Sequence, residues 1–514
     1  MPSSSMTEES SSERTIGQPD ISGSGRLTHW QWDFREARSE LQNCVDNHDC
    51  DRSWTAELPT RLLDLQSTDA NKVKLIVTKQ AFLNTVPTEH TRYAALSYCW
   101  GVGTTLTTTP SKLQEHMHTI RVSSLPLTLQ QTIQATRDLG FRYLWIDALC
   151  ILQREGGDLD AEALIDWQKE SVRMHLVYGN ATLTIVAAAA SNSGQGLLCG
   201  GGTLHPVEYG QGIPLHSQPL SSRAWTLQEW LLSNRLLVFT TGGIYFICNR
   251  TRNRGQNGIY NVEFTTPNSD AGGLWGLLIE NHCSRNITNP GDKLPAISGL
   301  AQRYAAISNF SERDYRAGLW RSTLLRDLLW VHYSGDTYGV KEPDQMGRRP
   351  GRAPTWSWAS IDGNTGYRYF NLAGSETAKI KDCQVKLAVD SDFLGQVKSG
   401  VLVVSCDYMI AVLGPPSTRQ NIRQEEWPCT LYTKDKSPQV LGGFWPDDAS
   451  ELESCDRMAD LLCLQFVEEA GEEVEGIVVR FDEQEDAHVR VGYFLCDHDR
   501  FNLQSRGGLD FKIV

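Results

Sequence analysis

Three short apolar runs stand out in the N-terminal half of the chain, at residues 93–100, 143–152 and 182–190. The first two runs are rich in aromatic residues and the third in β-branched residues. Each is bounded by polar or glycine positions, which predicts a strand buried on both faces. The middle run is interrupted by Asp147, a carboxyl group placed inside an otherwise apolar segment.

Two helices are predicted between these runs. The first begins near a capping-box pattern of Thr128 and Gln131 and ends at Gly140, and the second covers about residues 161–177. Alternation of strand and helix is typical of a parallel α/β sheet, here over residues 93–240. The ligand crevice of such a sheet lies beyond the carboxyl ends of its strands.

The rest of the chain is predicted to be helical in its middle part and β-rich towards its end. A helix is predicted over residues 222–235, a strand runs from 236 to about 248, and residues 292–335 carry helical patterns. From Cys383 onward, short β-prone runs predict an antiparallel region. The expected organisation is a disordered tail at 1–26, a core domain at 27–255, a helical extension at 256–370 and a β-rich region at 371–514.

Composition narrows the class of protein. The 514 residues carry a net charge of −14 with 40% apolar residues, so the chain can bury a core but repels phosphate backbones, and no nucleic-acid partner is expected. No apolar run reaches the length of a membrane span. The Ser/Glu-rich N-terminus has neither the basic nor the apolar part of a secretory signal, so we expect a cytoplasmic protein.

Thirteen cysteines occur without a CxxC pair, which predicts free thiols in a reducing compartment. Cys44, His48 and Cys50 lie within seven residues of one another. The spacing is not a common zinc pattern and no fourth ligand is evident from sequence, so no metal is expected.

Four ordered blocks resemble the fungal heterokaryon incompatibility (HET) domain family. They are YAALSYCWG at 93–101, LGFRYLWIDALCILQ at 139–153, DWQKE at 166–170, and RAWTLQE at 223–229 followed by LSNR at 232–235. Segments at 292–300, 317–320 and 354–360 resemble those that follow HET domains. No NTP-binding loop or WD-type repeat is found, so the chain resembles the stand-alone architecture.

The resemblance also implies candidate chemistry. HET domains have been likened to TIR domains, some of which cleave NAD with a glutamate in a Trp-Cys-x-x-Glu pattern. Here the corresponding residues are Trp225 and Glu229, with Thr226 in place of the cysteine. A carboxylate at this position could stabilise an oxocarbenium-like transition state. Alternatively, Trp225 is a core residue and Glu229 pairs with Arg223 or Arg235.

Asp147 is the second candidate catalytic residue. A carboxyl group among apolar residues must be paired or protonated. It either lines the crevice or has a structural role, bonded to a helix N-terminus or to Arg223. Tyr98, Trp100, Arg223 and Trp225 are expected to line the same pocket, with Glu229 facing the crevice.

Two functions follow from the resemblance. One is an incompatibility or cell-death protein that acts by intracellular recognition of other fungal proteins, with TIR-like NAD cleavage, so that NAD is a substrate and no cofactor is required. The other is a HET-like enzyme of fungal terpenoid biosynthesis, such as a cofactor-free cyclase or Diels–Alderase acting on a small apolar substrate. A third hypothesis is a HET-derived scaffold protein that catalyses no reaction.

Overall fold

The computed structural model describes residues 33–50, 57–83, 91–101, 106–156, 160–197, 204–205, 217–252, 271–333, 347–368, 374–414, 428–434, 437–448, 460–469 and 471–514. All of them belong to one structural unit, Asp33–Val514. The expected tail at 1–26 lies outside the described residues.

A mixed sheet forms the N-terminal part of the described chain. Its strands are β1 (Arg61–Asp64), β2 (Lys72–Val77), β3 (Tyr93–Ser97), β4 (Ile120–Arg121), β5 (Tyr143–Trp145), β6 (Leu183–Ala187), β7 (Leu204–His205), β8 (Arg235–Thr240) and β9 (Gly243–Cys248). They lie in the order β4-β2-β1-β5-β3-β6-β8-β9-β7. The central four, β5-β3-β6-β8, are parallel, whereas β1 and β9 join them antiparallel. The three predicted strands are therefore neighbours, in a mixed α/β fold.

Helices connect and cover these strands. They are α1 (Arg35–Asn47), α2 (Thr78–Ala81), α3 (Leu113–His118), α4 (Leu127–Asp138), α5 (Asp147–Cys150), α6 (Ala161–Ser171), α7 (Met174–Asn180), α8 (Trp225–Leu232) and α9 (Asn249–Arg252). The helix between the first two predicted strands has its apolar face inward, as Leu129 and Ile133 are fully buried.

Two local predictions are wrong. The second apolar run is not one long strand: β5 ends at Trp145, and Asp147 begins the short helix α5. The helix α4 has no side-chain cap at its N-terminus. Thr128 instead donates to the Gly196 carbonyl, and Gln131 accepts from the Leu197 amide. The two side chains that the pattern assigned to a capping box therefore bond to the backbone of a loop instead.

The middle of the chain packs around aromatic side chains. It contains α10 (Ala271–Cys283), α11 (Pro295–Ser308), α12 (Leu324–Asp327) and the short strands β10 (Tyr315–Arg316), β11 (Leu319–Trp320), β12 (Trp330–Tyr333), β13 (Gly347–Arg348), β14 (Ile361–Asp362) and β15 (Asn364–Tyr367). Trp275 and Trp358 both donate indole hydrogen bonds to the Gly318 carbonyl, at 3.0 and 2.9 Å. Trp356 and Trp358 are fully buried, so both are packing residues.

The C-terminal region is β-rich, as expected. Its strands are β16 (Ser375–Glu376), β17 (Lys379–Leu387), β18 (Val397–Leu413), β19 (Cys429–Tyr432), β20 (Val440–Pro446), β21 (Leu461–Glu469), β22 (Glu473–Asp482), β23 (Ala487–Asp497) and β24 (Arg506–Ile513), with helix α13 (His498–Gln504) before the last. Strand β18 pairs with both β19 and β21, which closes the ring β18-β21-β22-β23-β20-β19. Met409, Phe444 and Phe494 belong to one buried apolar cluster within this region.

A buried arginine of this region also bonds to the middle of the chain. Arg490 of β23 donates to both carboxylate oxygens of Asp447, at 3.0 and 3.2 Å. The same guanidinium donates to the Leu328 and Trp330 carbonyls and lies 3.5 Å from the centroid of the Trp330 ring. Neither charged side chain is exposed. Among the described residues, no helix is long and apolar enough to cross a membrane.

Candidate functional site

A pocket of about 630 Å³ opens at the carboxyl ends of the parallel strands. Trp100 follows β3, Asp147 follows β5, and Ser191 follows β6, and all three line it. The connection that leaves β3 leads to β5 on one side, whereas β6 is followed by β8 on the other. The pocket therefore lies where the strand order reverses, which is where open α/β sheets bind ligands.

The six residues singled out from sequence lie together in the structure. Trp100, Asp147, Arg223, Trp225 and Glu229 line the pocket. Tyr98 is buried, with 3% of its surface exposed, and its backbone carbonyl accepts a 2.6 Å hydrogen bond from Arg223 Nη1.

Glu229 lies in the middle of α8 and is buried, with 7% of its surface exposed. Its Oε2 accepts a hydrogen bond of 2.5 Å from Ser97 Oγ, at the end of β3. Burial raises the pKa of Glu229 to about 7, although the Ser97 hydrogen bond and the charge of Arg223 partly oppose that effect. Near neutral pH this carboxyl group can therefore either hold or release a proton.

Asp147 occupies the first turn of α5, where its Oδ1 accepts from the Ala148 amide at 2.6 Å. Its other oxygen accepts a 2.7 Å hydrogen bond from Trp100 Nε1. Burial raises the pKa of Asp147, and the Trp100 hydrogen bond and the charge of Arg223 act in the opposite direction. The side chain thus bonds a helix N-terminus and also lines the crevice, so the two expected roles are combined.

Arg223 supplies the positive charge of the pocket. Burial lowers the pKa of its guanidinium, but the nearby Glu229, Cys99 and Asp147 more than offset this, so the pKa is raised overall. Its backbone forms an isolated parallel bridge with Asn286, which also lines the pocket. Arg235, the other partner considered for Glu229, is buried elsewhere, with its Nε 3.1 Å from Cys44 Sγ.

Aromatic side chains form part of the wall. Trp225 packs edge-to-face with Trp167, with 6.5 Å between ring centroids, and both line the pocket. Trp225 also donates to Asp292 Oδ2 at 3.2 Å, and burial raises the pKa of Asp292 to about 6. Trp167 and Ser97 were not singled out from sequence, although both lie inside the blocks that carry the HET resemblance.

The position of α8 depends on close packing against α11 and α7. Gly299 of α11 donates its amide to Gln228 Oε1 at 3.2 Å. A β-carbon at Gly299 would lie 2.8 Å from both Gln228 Oε1 and His175 Cβ. The missing side chain therefore allows α11 to approach the helix that carries Glu229.

The structure brings a fourth potential metal ligand to Cys44, His48 and Cys50, which lie close together in sequence. Cys248, the last residue of β9, joins Cys44, His48 and Cys50, and the four donor atoms lie within 4.8 Å of one another. Sequence could not reveal this fourth residue because about 200 positions separate it from His48. None of the eleven cysteines that the structure describes forms a disulfide.

Residues 93–205 match the family model described as Heterokaryon incompatibility protein (HET). The chain contains a HET domain. The matched segment supplies Trp100, Asp147 and Trp167, whereas Arg223, Trp225 and Glu229 follow it in sequence. Neither a search of curated proteins nor a search of solved structures returns a match.

Proposed function

We propose that this heterokaryon-incompatibility-type protein binds a dinucleotide such as NAD in the pocket and hydrolyses its bond between ribose and nicotinamide. The observation that carries the proposal is the buried Glu229 carboxyl group, with a pKa of about 7, in a pocket that also holds Arg223 and Asp147. Cleavage of the dinucleotide would be the effector reaction of an intracellular recognition protein.

The size and place of the pocket support a small-molecule ligand. Its volume of about 630 Å³ falls within the range of about 300–1,000 Å³ typical of ligand sites. It also lies at the strand-order reversal, where backbone groups at the strand ends are available to a ligand.

The charges favour an ionic ligand over a hydrocarbon. Two carboxyl groups and a guanidinium are costly to desolvate against an apolar substrate that cannot pair with them. In NAD, the nicotinamide ring is cationic and the pyrophosphate anionic. Glu229 and Asp147 are suited to the cationic part, Arg223 to a phosphate oxygen, and the indoles of Trp100, Trp167 and Trp225 to the planar rings.

The reaction consumes one water molecule. The bond between ribose C1′ and the nicotinamide nitrogen breaks, its electron pair neutralises the pyridinium, and nicotinamide leaves. Water then adds to the oxocarbenium-like C1′ and loses a proton, which gives ADP-ribose. Ionised Glu229 would stabilise the positive charge that develops on the ribose, as carboxylates do in glycoside hydrolysis.

The test is nicotinamide release from NAD by the purified full-length chain, followed by chromatography. We expect Glu229→Gln to lower the rate on the order of 100- to 1000-fold, since one preorganised electrostatic contribution is removed. Glu475→Gln is the matched control, because Glu475 is a half-buried carboxyl group of the C-terminal region whose pKa is also raised by burial, and its rate should be unchanged.

Two results would contradict the proposal. Hydrolysis by Glu229→Gln at the wild-type rate removes the residue from the mechanism. Absence of NAD consumption by the wild-type chain, alone or assembled by a partner, excludes the activity, and saturable quenching of tryptophan fluorescence by a terpenoid would then favour the cyclase alternative.

A further inference from the structure

Four metal-binding side chains converge at the edge of the central sheet. Cys44 lies in the last turn of α1, His48 and Cys50 follow that helix, and Cys248 ends β9. All four donor atoms lie within 4.8 Å of one another. Cys248 Sγ is 3.4 Å from His48 Nδ1, so the imidazole faces the thiols.

We propose that these four residues bind one structural zinc ion. Three thiolates and one imidazole are a standard ligand set for structural zinc. With Zn–S near 2.3 Å and Zn–N near 2.0–2.1 Å, donor atoms at tetrahedral angles lie roughly 3.5 to 3.8 Å apart. Donors already within 4.8 Å need to move by about 1 Å to complete the site.

The burial of the sulfur ligands favours a structural role. Cys44, Cys50 and Cys248 are 0%, 1% and 0% exposed, respectively. Four protein ligands fill the tetrahedral shell, so no position remains for water or substrate, as in structural rather than catalytic zinc sites. The cluster is separate from the Glu229 pocket and shares none of its lining residues.

The surroundings suit a thiolate-rich site. Zn²⁺ with three thiolates and a neutral imidazole has a net charge of −1, and Arg235 Nε lies 3.1 Å from Cys44 Sγ. The Thr251 hydroxyl donates to Cys248 Sγ at 3.6 Å. Asn249 Nδ2 donates to the Cys50 carbonyl at 3.2 Å. Such outer contacts orient ligands and offset their charge.

A disulfide explains fewer of these observations. One S–S bond would use two of the three sulfurs and would leave the third thiol and the imidazole without a reason to converge. Zinc uses all four donors. It also ties α1 to β9 across the roughly 200 residues between His48 and Cys248, a link that would stabilise the folded sheet edge.

The primary test is zinc content by mass spectrometry of the full-length chain purified without chelators. We expect about one zinc per chain, as for a single closed site. Cys248→Ser should lose the metal, whereas Cys406→Ser, which changes a buried cysteine outside the cluster, should retain it.

A second variant keeps the test decisive if Cys248→Ser fails to fold. The wild-type chain reloaded with Co²⁺ should show visible d–d bands of tetrahedral cobalt and an ultraviolet thiolate charge-transfer band. In His48→Cys a fourth thiolate replaces the imidazole, so metal should be retained and the charge-transfer intensity per cobalt should rise by about one third.

Three outcomes would overturn the proposal. The first is wild-type chain that binds neither zinc nor cobalt at micromolar added metal. The second is equal metal loss in Cys248→Ser and Cys406→Ser. The third is a disulfide between two of the three cluster cysteines in freshly purified protein, detected by peptide mass mapping.

Discussion

The Ser97 hydroxyl donates a 2.5 Å hydrogen bond to Glu229 across 132 positions of sequence. This contact joins the end of β3 to the middle of α8, and it fixes the position of a buried carboxyl group that lines the pocket. The donated hydrogen bond stabilises the ionised carboxylate and therefore lowers the pKa of Glu229, whereas burial raises it.

Glu229 should make the stability of the protein pH-dependent. Its pKa rises from 4.5 to about 7 on folding, so the folded state binds the proton more tightly. The stability from the protonated group is complete below about pH 4.5 and is lost as the pH rises through about 7. Glu229→Gln cannot ionise, and at pH 8 it should be more stable than wild type by on the order of 3 kcal/mol.

Thermal unfolding from pH 5 to 8 measures this effect, and Ser97→Ala supplies the opposite control. Removal of the donating hydroxyl should raise the pKa of Glu229 further and shift the pH-dependent loss upward. Parallel pH profiles for wild type and Glu229→Gln would contradict the buried, titrating carboxyl group.

If ionised Glu229 acts in hydrolysis, the rate should rise with pH through about 7. Asp147 raises the pKa of Glu229 through like-charge repulsion. Asp147→Asn should therefore move the rising limb of kcat/KM to lower pH, whatever its effect on the maximal rate. A limb that stays in place in this variant would show that Asp147 and Glu229 are not coupled.

The ion pair of Arg490 and Asp447 should make a large contribution to stability. Arg490→Met removes the bidentate partner of the buried Asp447 and leaves it the contact with Arg348 Nη2 at 3.4 Å. The expected loss is therefore at most the roughly 3–5 kcal/mol typical of breaking a buried pair. Urea unfolding of each single variant and of Arg490→Met/Asp447→Asn forms a double-mutant cycle. The double variant should lose less than the sum of the singles, and simple additivity would rule out the coupling.

Gly318 should not tolerate a side chain. Its φ is +99°, and a β-carbon would lie 2.6 Å from Trp358 Nε1, so Gly318→Ala should lose more than the roughly 1–3 kcal/mol of a strained backbone alone. Gly471→Ala has a comparable φ of +76° without a neighbour within 4 Å and isolates the backbone effect. Equal melting temperatures for the two variants would argue against the clash.

The sequence pattern was most informative where burial alone decides structure. The three apolar runs became the adjacent parallel strands β5, β3 and β6 because each is buried on both faces. The pattern could not place the end of β5, since Ile146 and Ala148 are as apolar as the strand, and the backbone turns into α5 between them. The antiparallel partners at both edges also depend on pairings that local sequence does not encode.

Part of the candidate pocket can be predicted from sequence because its residues lie at strand ends and in one helix. At these places the spacing along the chain indicates which side chains lie close together. Trp100 and Asp147 follow from such positions, whereas Glu229 follows from the resemblance of residues 225–229 to the TIR pattern. Cys248 could not be predicted, because it has no cysteine or histidine near it in sequence and meets its partners only through the pairing of β8 with β9. Ser97 could not be singled out either, because it lies inside an apolar run and its partner Glu229 is 132 positions away.

The contact of α1 with β9 has a consequence for synthesis on the ribosome. The helix presents Ala37, Leu41 and Cys44 as its buried face, and the strand it covers ends about 200 residues after His48. At about 5–20 residues per second, that interval lasts on the order of 10 to 40 seconds. During this interval the apolar, thiol-bearing face of the nascent helix lacks the strand that covers it in the folded protein. We therefore expect a chaperone to bind this segment during translation.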